Sequence, residues 1–167
     1  PVIVKIDGDD PIEVLNEGIA VTNISCVNGT DGKIDLIVAG GDSSGNFTYL
    51  WTGPNGYTSN SKDITNLSNS GTYSVKISQN DCLIIKDFEL IEPNELTASV
   101  TNITHSQCGG DGSYQITING GTAPWTVGGY SYGSAGQESI TLNYYERGAG
   151  TYNLTVTDSN SCSSINL

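Results

Sequence analysis

The sequence predicts an all-β fold built from two tandem β-sandwich modules. Its clearest signal is a motif that occurs twice, at residues 71–78 (Gly-Thr-Tyr-Ser-Val-Lys-Ile-Ser) and 150–157 (Gly-Thr-Tyr-Asn-Leu-Thr-Val-Thr). In both copies apolar and polar residues alternate, which is typical of a strand with one buried face. The chain also has 21 Gly and no Met, and no window has apolar residues at helical spacing. Short alternating runs separated by Gly, Asn, Asp and Ser favour a sandwich.

The duplication continues along most of the chain, which indicates two structural repeats. Its main matches are residues 21–25 with 100–104, 33–41 with 113–121, 63–67 with 138–142, and Trp51 with Trp125. The copies differ in length around each Trp. We therefore expect an N-terminal strand or linker at residues 1–19, a first repeat at residues 20–96 and a second repeat at residues 97–167.

The first repeat is expected to contain four strands after its first cysteine, at residues 33–39, 46–52, 62–67 and 71–78. Trp51 and Trp125 should be core residues of a middle strand. Tyr73 and Tyr152 begin the repeated strand, where sandwich domains often tie a Tyr hydroxyl to a nearby loop. We expect all four aromatic side chains to pack in the cores. A platform for stacking on sugars or bases is the functional alternative.

Each repeat contains two cysteines at matching places, Cys26 and Cys82 in the first and Cys108 and Cys162 in the second. A module of about 75 residues buries too little surface to be stable unaided, which favours a disulfide in each. The spacing favours Cys26–Cys82 and Cys108–Cys162 over the two other pairings that four cysteines allow. Each bridge would close a loop of about 55 residues and stabilise its module by roughly 4 kcal/mol.

This pairing sets a condition on the topology. Both cysteines of a repeat lie in turns, so the two turns must meet at one end of the sandwich. An even number of strands must then separate them. The four predicted strands satisfy this condition, whereas a fifth strand around Tyr57 would place Cys26 and Cys82 at opposite ends.

The order of motifs resembles a known family. Each copy has Cys, Asp-Gly, an alternating strand, Gly-Gly, Trp, Gly-Thr-Tyr with a second alternating strand, and Cys, and the first copy then has Glu92-Pro93. This order resembles the SprB-type repeat of large cell-surface adhesins of gliding Bacteroidota, over residues 20–167. The resemblance implies immunoglobulin-like modules in a long protein that is exported by type IX secretion and displayed at the cell surface. It implies no catalytic residues.

The N-terminal segment carries two further expectations. Residues 2–6 followed by Asp10-Pro11 are similar to residues 84–88 followed by Glu92-Pro93, so residues 1–11 read as the last strand of a preceding module or a strand donated between subunits. Asp7, Asp9 and Asp10 form a cluster of hard oxygen ligands that would suit Ca²⁺ at a module junction. A solvated turn is the simpler interpretation, and we expect no other cofactor.

The net charge limits the classes of partner that the chain can bind. Six Lys and Arg against 18 Asp and Glu give a net charge of −12, which argues against nucleic acid and anionic lipid. It favours an extracellular protein that resists collapse onto its neighbours. The expected partners are neighbouring modules or identical subunits in a filament, with surface polysaccharide as an alternative. We expect no membrane insertion of this segment.

Enzyme chemistry has little support in the sequence. The single His105 lies in a polar loop with no predictable carboxylate partner, and nothing selects a catalytic pair among the 18 acidic residues. The cysteines are better explained as disulfides than as nucleophiles. We therefore expect no enzyme.

Segments of the second repeat that are rich in Tyr, Ser and Gly predict a contact surface, since such loops bind with little loss of side-chain entropy. Its candidate residues are Tyr130, Tyr132, Tyr144 and Tyr145. The alternative is that these tyrosines simply face outward from strands. Six Asn-x-Ser/Thr sequons are candidate glycosylation sites. They are Asn23, Asn28, Asn46, Asn66, Asn102 and Asn153.

These expectations favour a structural or adhesive repeat segment of a large extracellular fibre or adhesin, acting as a disulfide-linked spacer. The alternative is a β-sandwich module at the cell surface that binds carbohydrate or another ligand. The tyrosines of the second repeat are the residues whose substitution would distinguish the two.

Overall fold

The predicted all-β fold is confirmed by a computed structural model that describes residues 10–15, 19–42, 45–105, 110–162 and 164–167. Every strand pairing in these ranges is antiparallel, and the one helical element in them is the 3-10 turn Pro54–Gly56. The chain divides into two units. The first unit holds the described residues among 1–24 and 28–92, and the second holds residues 25–27 and the described residues among 93–167.

The described residues of the first unit form nine strands. They are β1 (Asp10–Val14), β2 (Ala20–Thr22), β3 (Gly32–Asp35), β4 (Val38–Gly41), β5 (Thr48–Thr52), β6 (Thr58–Ser59), β7 (Ile64–Leu67), β8 (Gly71–Gln79) and β9 (Cys82–Leu90). The sheets are β1-β4, β2-β3-β7 and β6-β5-β8-β9. The last two sheets share one hydrophobic core, to which β3, β5, β7 and β8 all contribute.

The repeated Gly-Thr-Tyr strand of the first unit is β8, and it shows the predicted alternation. Tyr73, Val75 and Ile77 are buried, whereas Thr72 and Lys76 are exposed and Ser74 is half-buried. The predicted core position of Trp51 is also confirmed, because its side chain is fully buried and its indole N–H donates to the Ser61 carbonyl at 3.0 Å. The period of two therefore decides which side chains enter this core.

The described residues of the second unit repeat this plan with seven strands. They are β10 (Thr97–Thr104), β11 (Gly112–Asn119), β12 (Trp125–Val127), β13 (Tyr130–Tyr132), β14 (Ser139–Arg147), β15 (Thr155–Thr157) and β16 (Ser164–Asn166). Its sheets are β10-β11-β14 and β13-β12-β15-β16. Both contribute to one core around Trp125, which is fully buried as predicted and donates its indole N–H to the Gly120 carbonyl at 2.9 Å.

The strands predicted for the first repeat are wrong in two places. The run 33–39 is divided into β3 and β4, which lie in separate sheets. The division follows from Leu36, whose backbone N–H donates to Asp63 Oδ1 at 2.8 Å and so leaves the strand ladder. In addition, β6 lies directly after Tyr57 and pairs with β5. Together with the division of 33–39, this additional strand gives six described strands, β3 to β8, between Cys26 and Cys82.

The predicted disulfide pairing is also wrong. Cys26 is bonded to Cys162, with a Cα–Cα distance of 5.3 Å and a sequence separation of 136. Cys82 is free and exposed, because it begins β9 opposite Gln79 at the tip of the β8–β9 hairpin. Cys108 lies outside the described residues. Cys26 reaches Cys162 because residues 25–27 pack in the second unit, where the Ser25 carbonyl accepts from Asn160 Nδ2 at 2.9 Å.

The N-terminal strand belongs to the first unit rather than to a separate linker. Strand β1 pairs with β4, and Ile12 and Val14 are buried in the first core. The pairing requires glycine at residue 40, whose φ is +80° and where a Cβ would lie 1.9 Å from the Pro11 carbonyl oxygen. Of residues 1–11, which are expected to form a preceding or donated strand, only residues 10 and 11 are described, and they belong to β1 of the first unit. For residues 1–9 the expectation stays a prediction.

Candidate binding cleft in the second unit

The four tyrosines predicted to form a contact surface do not lie on one surface. Tyr130 on β13 and Tyr145 on β14 are exposed, whereas Tyr132 and Tyr144 are half-buried and pack against the second core. Tyr144 and Tyr145 are successive residues of a strand, so their side chains point to opposite faces of the sheet. Only Tyr130 and Tyr145 are therefore available as isolated contacts, and their role in binding stays a prediction.

Three tyrosines instead form an aromatic cluster at one side of the second core. The rings of Tyr114 and Tyr144 are stacked, with centroids 4.9 Å apart and an interplanar angle of 17°. The Tyr152 ring lies 6.1 Å from that of Tyr114, at 40°. The Arg147 guanidinium carbon is 5.3 Å from the centroid of Tyr144, within cation–π range. The cluster joins β11 and β14 to the segment that precedes β15.

Tyr144 remains protonated throughout the neutral range. Burial raises the pKa of its hydroxyl above the ordinary tyrosine value, and a hydrogen bond and charge repulsion with Tyr132 raise it further. Arg147 opposes this shift only in part. Tyr144 therefore offers no tyrosinate for acid–base chemistry at neutral pH, and the Arg147 guanidinium lies over its ring.

Two hollows open beside this cluster and share Ile103, Tyr114 and Tyr152. The first, which we call the apolar cleft, has a volume of about 180 Å³ and is lined by Val100, Ile103, Tyr114, Tyr152, Leu154 and Leu167. The second has a volume of about 420 Å³ and a more polar wall that includes Thr104, His105, Ser113 and Arg147. His105 therefore lies at a surface hollow rather than in a core.

Tyr152, which lines both hollows, makes the predicted hydrogen bond without the predicted burial. Its hydroxyl donates to the Gly148 carbonyl at 2.8 Å, as the Tyr73 hydroxyl donates to the Asn69 carbonyl at 2.9 Å. Tyr73 is only 1% exposed, however, and Tyr152 is 43% exposed. The expectation of core packing is thus wrong for Tyr152. In the first unit Phe88 of β9 pairs opposite Tyr73, whereas β15 begins only at Thr155.

The predicted calcium ligands cannot be placed. Asp7 and Asp9 lie outside the described residues, and of Asp10 only the backbone, in β1, is described. In the described ranges, no group of three or more His, Cys, Asp and Glu side chains could hold a metal ion. All six sequon asparagines are exposed, but glycosylation stays a prediction.

Comparison with known families finds a match to part of the first repeat. Residues 18–56 match the SprB repeat. This repeat is typical of gliding-motility surface adhesins, a structural and adhesive context at the cell surface rather than a catalytic one. No curated protein matches the chain. The described residues include no helix with the length and hydrophobicity required to span a membrane.

Proposed function

We propose that this chain, in which residues 18–56 match the SprB repeat, is a spacer segment of a large extracellular adhesin. Its two units act as immunoglobulin-like sandwiches that keep their fold while tension passes along the adhesin. Support comes from the duplicated sequence and from two sheets that share one core in each unit. In each unit a buried Trp and a tyrosine-corner hydrogen bond, both common in such sandwiches, lend further support.

The observation that carries the mechanical role is the Cys26–Cys162 bridge. Its sequence separation of 136 means that residues 27–161 lie inside one covalently closed loop. A force applied at the ends of the chain passes through the bridge and cannot extend the residues inside the loop. Only the segments before Cys26 and after Cys162 can lengthen. A spacer built this way transmits tension with little loss of folded structure.

The acidic surface is consistent with an extracellular array. A net charge of −12 keeps neighbouring copies apart in solution. Under this proposal the protein is exported by type IX secretion, is displayed at the cell surface, and contacts neighbouring modules of its own filament. The proposal assigns no catalytic residue and no cofactor.

Single-molecule force spectroscopy tests the spacer role. The chain is held by tags at both ends and pulled with and without a reductant. Without the reductant, we expect pulling to extend only the two short terminal segments of the chain. A reduced chain should release in addition residues 27–161 between the two cysteines, about 470 Å of contour length. A C82S chain is the control and should behave as the unmodified chain does. Release of the full contour length without reductant would contradict the proposal.

A carbohydrate-binding module is the second candidate function, and the exposed Tyr130 and Tyr145 rings favour it. Exposed tyrosines can stack on sugar rings. Glycan-array binding that is lost in Y130A or Y145A, and kept in the control L83A at an exposed site of the first unit, would support this function. No binding by the unmodified chain to any glycan would leave the spacer as the sole function.

A further inference from the structure

Strand β14 is an edge strand of the sheet β10-β11-β14, and its outer side carries open backbone groups. It pairs with β11 at each residue from Ser139 to Tyr144. Just before these residues, the Gly120 N–H donates to the Glu138 carbonyl at 3.0 Å, and hydrogen-bonded pairs alternate with open pairs from there on. The alternation turns the backbone N–H and C=O groups of four residues away from β11. They are Ser139, Thr141, Asn143 and Tyr145.

One of these groups supports the alternation directly. The Ser139 carbonyl accepts from Gln137 Nε2 at 2.8 Å, as expected of a carbonyl that β11 does not use. No described residue bonds to the backbone of Thr141, Asn143 or Tyr145 on that side. The side chains of these three residues are exposed, whereas the residues between them pack against the second core. The outer side of β14 therefore offers main-chain donors and acceptors to a further strand.

This edge lacks the features that normally keep exposed strands from pairing. Proteins protect sheet edges with charges, proline, bulges or very short strands. Residues 139–145 (Ser-Ile-Thr-Leu-Asn-Tyr-Tyr) contain no charged residue and no proline, in a chain with a net charge of −12. Strand β10, the other edge of the sheet, is also uncharged, but a bulge after Thr101 interrupts its pairing, and Asn102 has a φ of +52°. Strand β14 is the straight, unprotected edge of this sheet.

The first unit does not have this edge. Gly32 pairs with Leu67 of β7, and its match Gly112 pairs with Arg147, so the four residues of β7 match only the last four of β14. Residues 60–63, which match residues 140–143, belong to no strand and include one lysine and one aspartate. The long uncharged edge is thus a feature of the second unit alone among the described sheets of this type.

The open edge is also distinct from the place at which the first unit is closed by its last segment. Ile91, directly after β9, accepts from the Ile24 N–H at 3.0 Å and donates to Asn23 Oδ1 at 3.1 Å. These contacts lie beside β2, the strand that matches β10. Strand β14 lies at the opposite edge of its sheet, as β7 does.

We propose that β14 is a dimerisation edge, at which the β14 strands of two copies of this chain pair antiparallel about a two-fold axis. The pairing joins two three-stranded sheets into one sheet of six strands. Because the Ser139 carbonyl is already used, the register that uses the most open groups places Asn143 opposite Asn143 of the second copy and Thr141 opposite Tyr145. Such a two-fold contact is closed and gives a dimer. The dimer goes beyond the spacer role and does not depend on it.

The net charge predicts how the dimer responds to salt. Each copy carries a charge of −12, so two copies repel each other, and an uncharged edge adds nothing to that repulsion. Salt screens the repulsion but leaves main-chain hydrogen bonds in place. We expect the dissociation constant to fall about tenfold between about 0.05 M and about 0.5 M salt. A dissociation constant that rises with salt would indicate ion pairs and would overturn the proposal.

Analytical ultracentrifugation of the full chain tests the edge itself, with free thiols blocked so that no disulfide links two copies. We expect a reversible monomer–dimer equilibrium. T141P removes an N–H that faces the second copy and costs no hydrogen bond to β11, and T141K places a charge on the edge. Each should weaken the dimer at least about tenfold, because two symmetric contacts are lost. T141K also lowers the net negative charge, so its effect cannot come from general repulsion.

The matched control is T101K, which has the same substitution on the same face of the sheet but at the β10 edge. It should dimerise as the unmodified chain does, and the Tm of every variant reports whether its fold is kept. A chain that stays monomeric at all concentrations would overturn the proposal. So would T141P and T141K variants that keep their Tm and dimerise normally, or a T101K variant that loses the dimer equally.

Cross-linking tests the register independently of the edge variants. In a hydrogen-bonded antiparallel pair the Cα atoms are about 5.5 Å apart, a distance that a disulfide can bridge. In a C82S chain, N143C should therefore give a covalent dimer on mild oxidation, and T101C should not. Equal cross-linking of the two variants would contradict the proposal. Force spectroscopy follows a single chain, so failure of the spacer role remains distinguishable from failure of the dimer.

Discussion

The two units use the same motif with different results, and the difference lies in the partner strand. Gly-Thr-Tyr followed by alternation gives the nine-residue β8 in the first unit and the three-residue β15 in the second. Strand β9 pairs along all of β8, whereas β16 pairs with only three residues of β15. The alternation thus specifies which side chains face inward, and the neighbouring strand decides how far the strand extends and which tyrosine is buried.

Removing the two matching tyrosines should expose this difference most clearly. We expect Y73A to destabilise the first unit by about 3–5 kcal/mol, the range for removing a large buried aromatic side chain. Y152A should cost about 1 kcal/mol, since its ring is partly in solvent and its one hydroxyl bond is of ordinary strength. Urea unfolding followed by NMR signals of each unit measures both. Equal losses would contradict the account of the apolar cleft.

Asp158 should be more important to the second unit than its exposed neighbours. It is a buried carboxylate that accepts from the Thr122 backbone N–H at 3.0 Å and from the Cys162 N–H at 3.1 Å. We expect D158A to destabilise this unit by about 1–3 kcal/mol, because two donors lose their acceptor. The exposed Asp111 is the matched control, and D111A should change the unfolding midpoint little. A D158A chain as stable as D111A would disprove this assignment.

Alanine substitution of the matching residues Gly40 and Gly120 should have similar effects, because in both units another backbone segment passes close to the glycine. Gly40 and Gly120 have φ of +80° and +70°, and a Cβ would lie 1.9 Å from the Pro11 carbonyl oxygen or 2.1 Å from that of Glu95. We expect G40A and G120A each to destabilise its unit by more than about 1 kcal/mol. G136A is a control with positive φ and open space around it. Thermal unfolding measures the stability of each variant. A G120A variant as stable as the unmodified chain would contradict the equivalence of the two units.

The smallest expected effect is a dependence of stability on alkaline pH. The folded pKa of Tyr144 is raised above 10, chiefly by burial, so its stabilising contribution is complete below about pH 10. Above that pH the unfolded chain loses the proton more readily, and stability should fall. The Y144F variant should show a weaker fall between pH 9 and 11, as measured by urea midpoints. An identical pH profile for Y144F would contradict the assigned shift.

Much of the fold was predictable from the sequence because local patterns specify local structure. The duplication, the alternation of β8, the two buried Trp residues and the tyrosine hydrogen bonds all follow from short motifs. The exposure of the Tyr152 side chain could not be predicted, because it depends on the strand that lies opposite. The apolar cleft was missed for the same reason. A comparison of residues 21–25 with 100–104 would not have revealed that Ile24 is covered and Ile103 is not.

The disulfide was mispredicted because sequence spacing gives the length of a loop and not the position of its ends. Cys26 is closer in sequence to Cys82 than to Cys162. Residues 25–27 nevertheless pack in the second unit, and Cys82 lies at an exposed hairpin tip. The topological condition gave no warning, because six described strands, β3 to β8, separate Cys26 from Cys82, and six is an even number. A bridge of this separation would stabilise the folded chain against complete unfolding by about 5 kcal/mol in the chain-entropy model.

The most direct test of the account is a disulfide map of the unreduced chain by proteolysis and mass spectrometry. Free thiols are first blocked under native conditions to prevent exchange. The account predicts a peptide pair that joins Cys26 to Cys162 and a blocked Cys82. A pair that joins Cys26 to Cys82 would contradict the closed loop, and with it the proposal that tension passes through a single bridge.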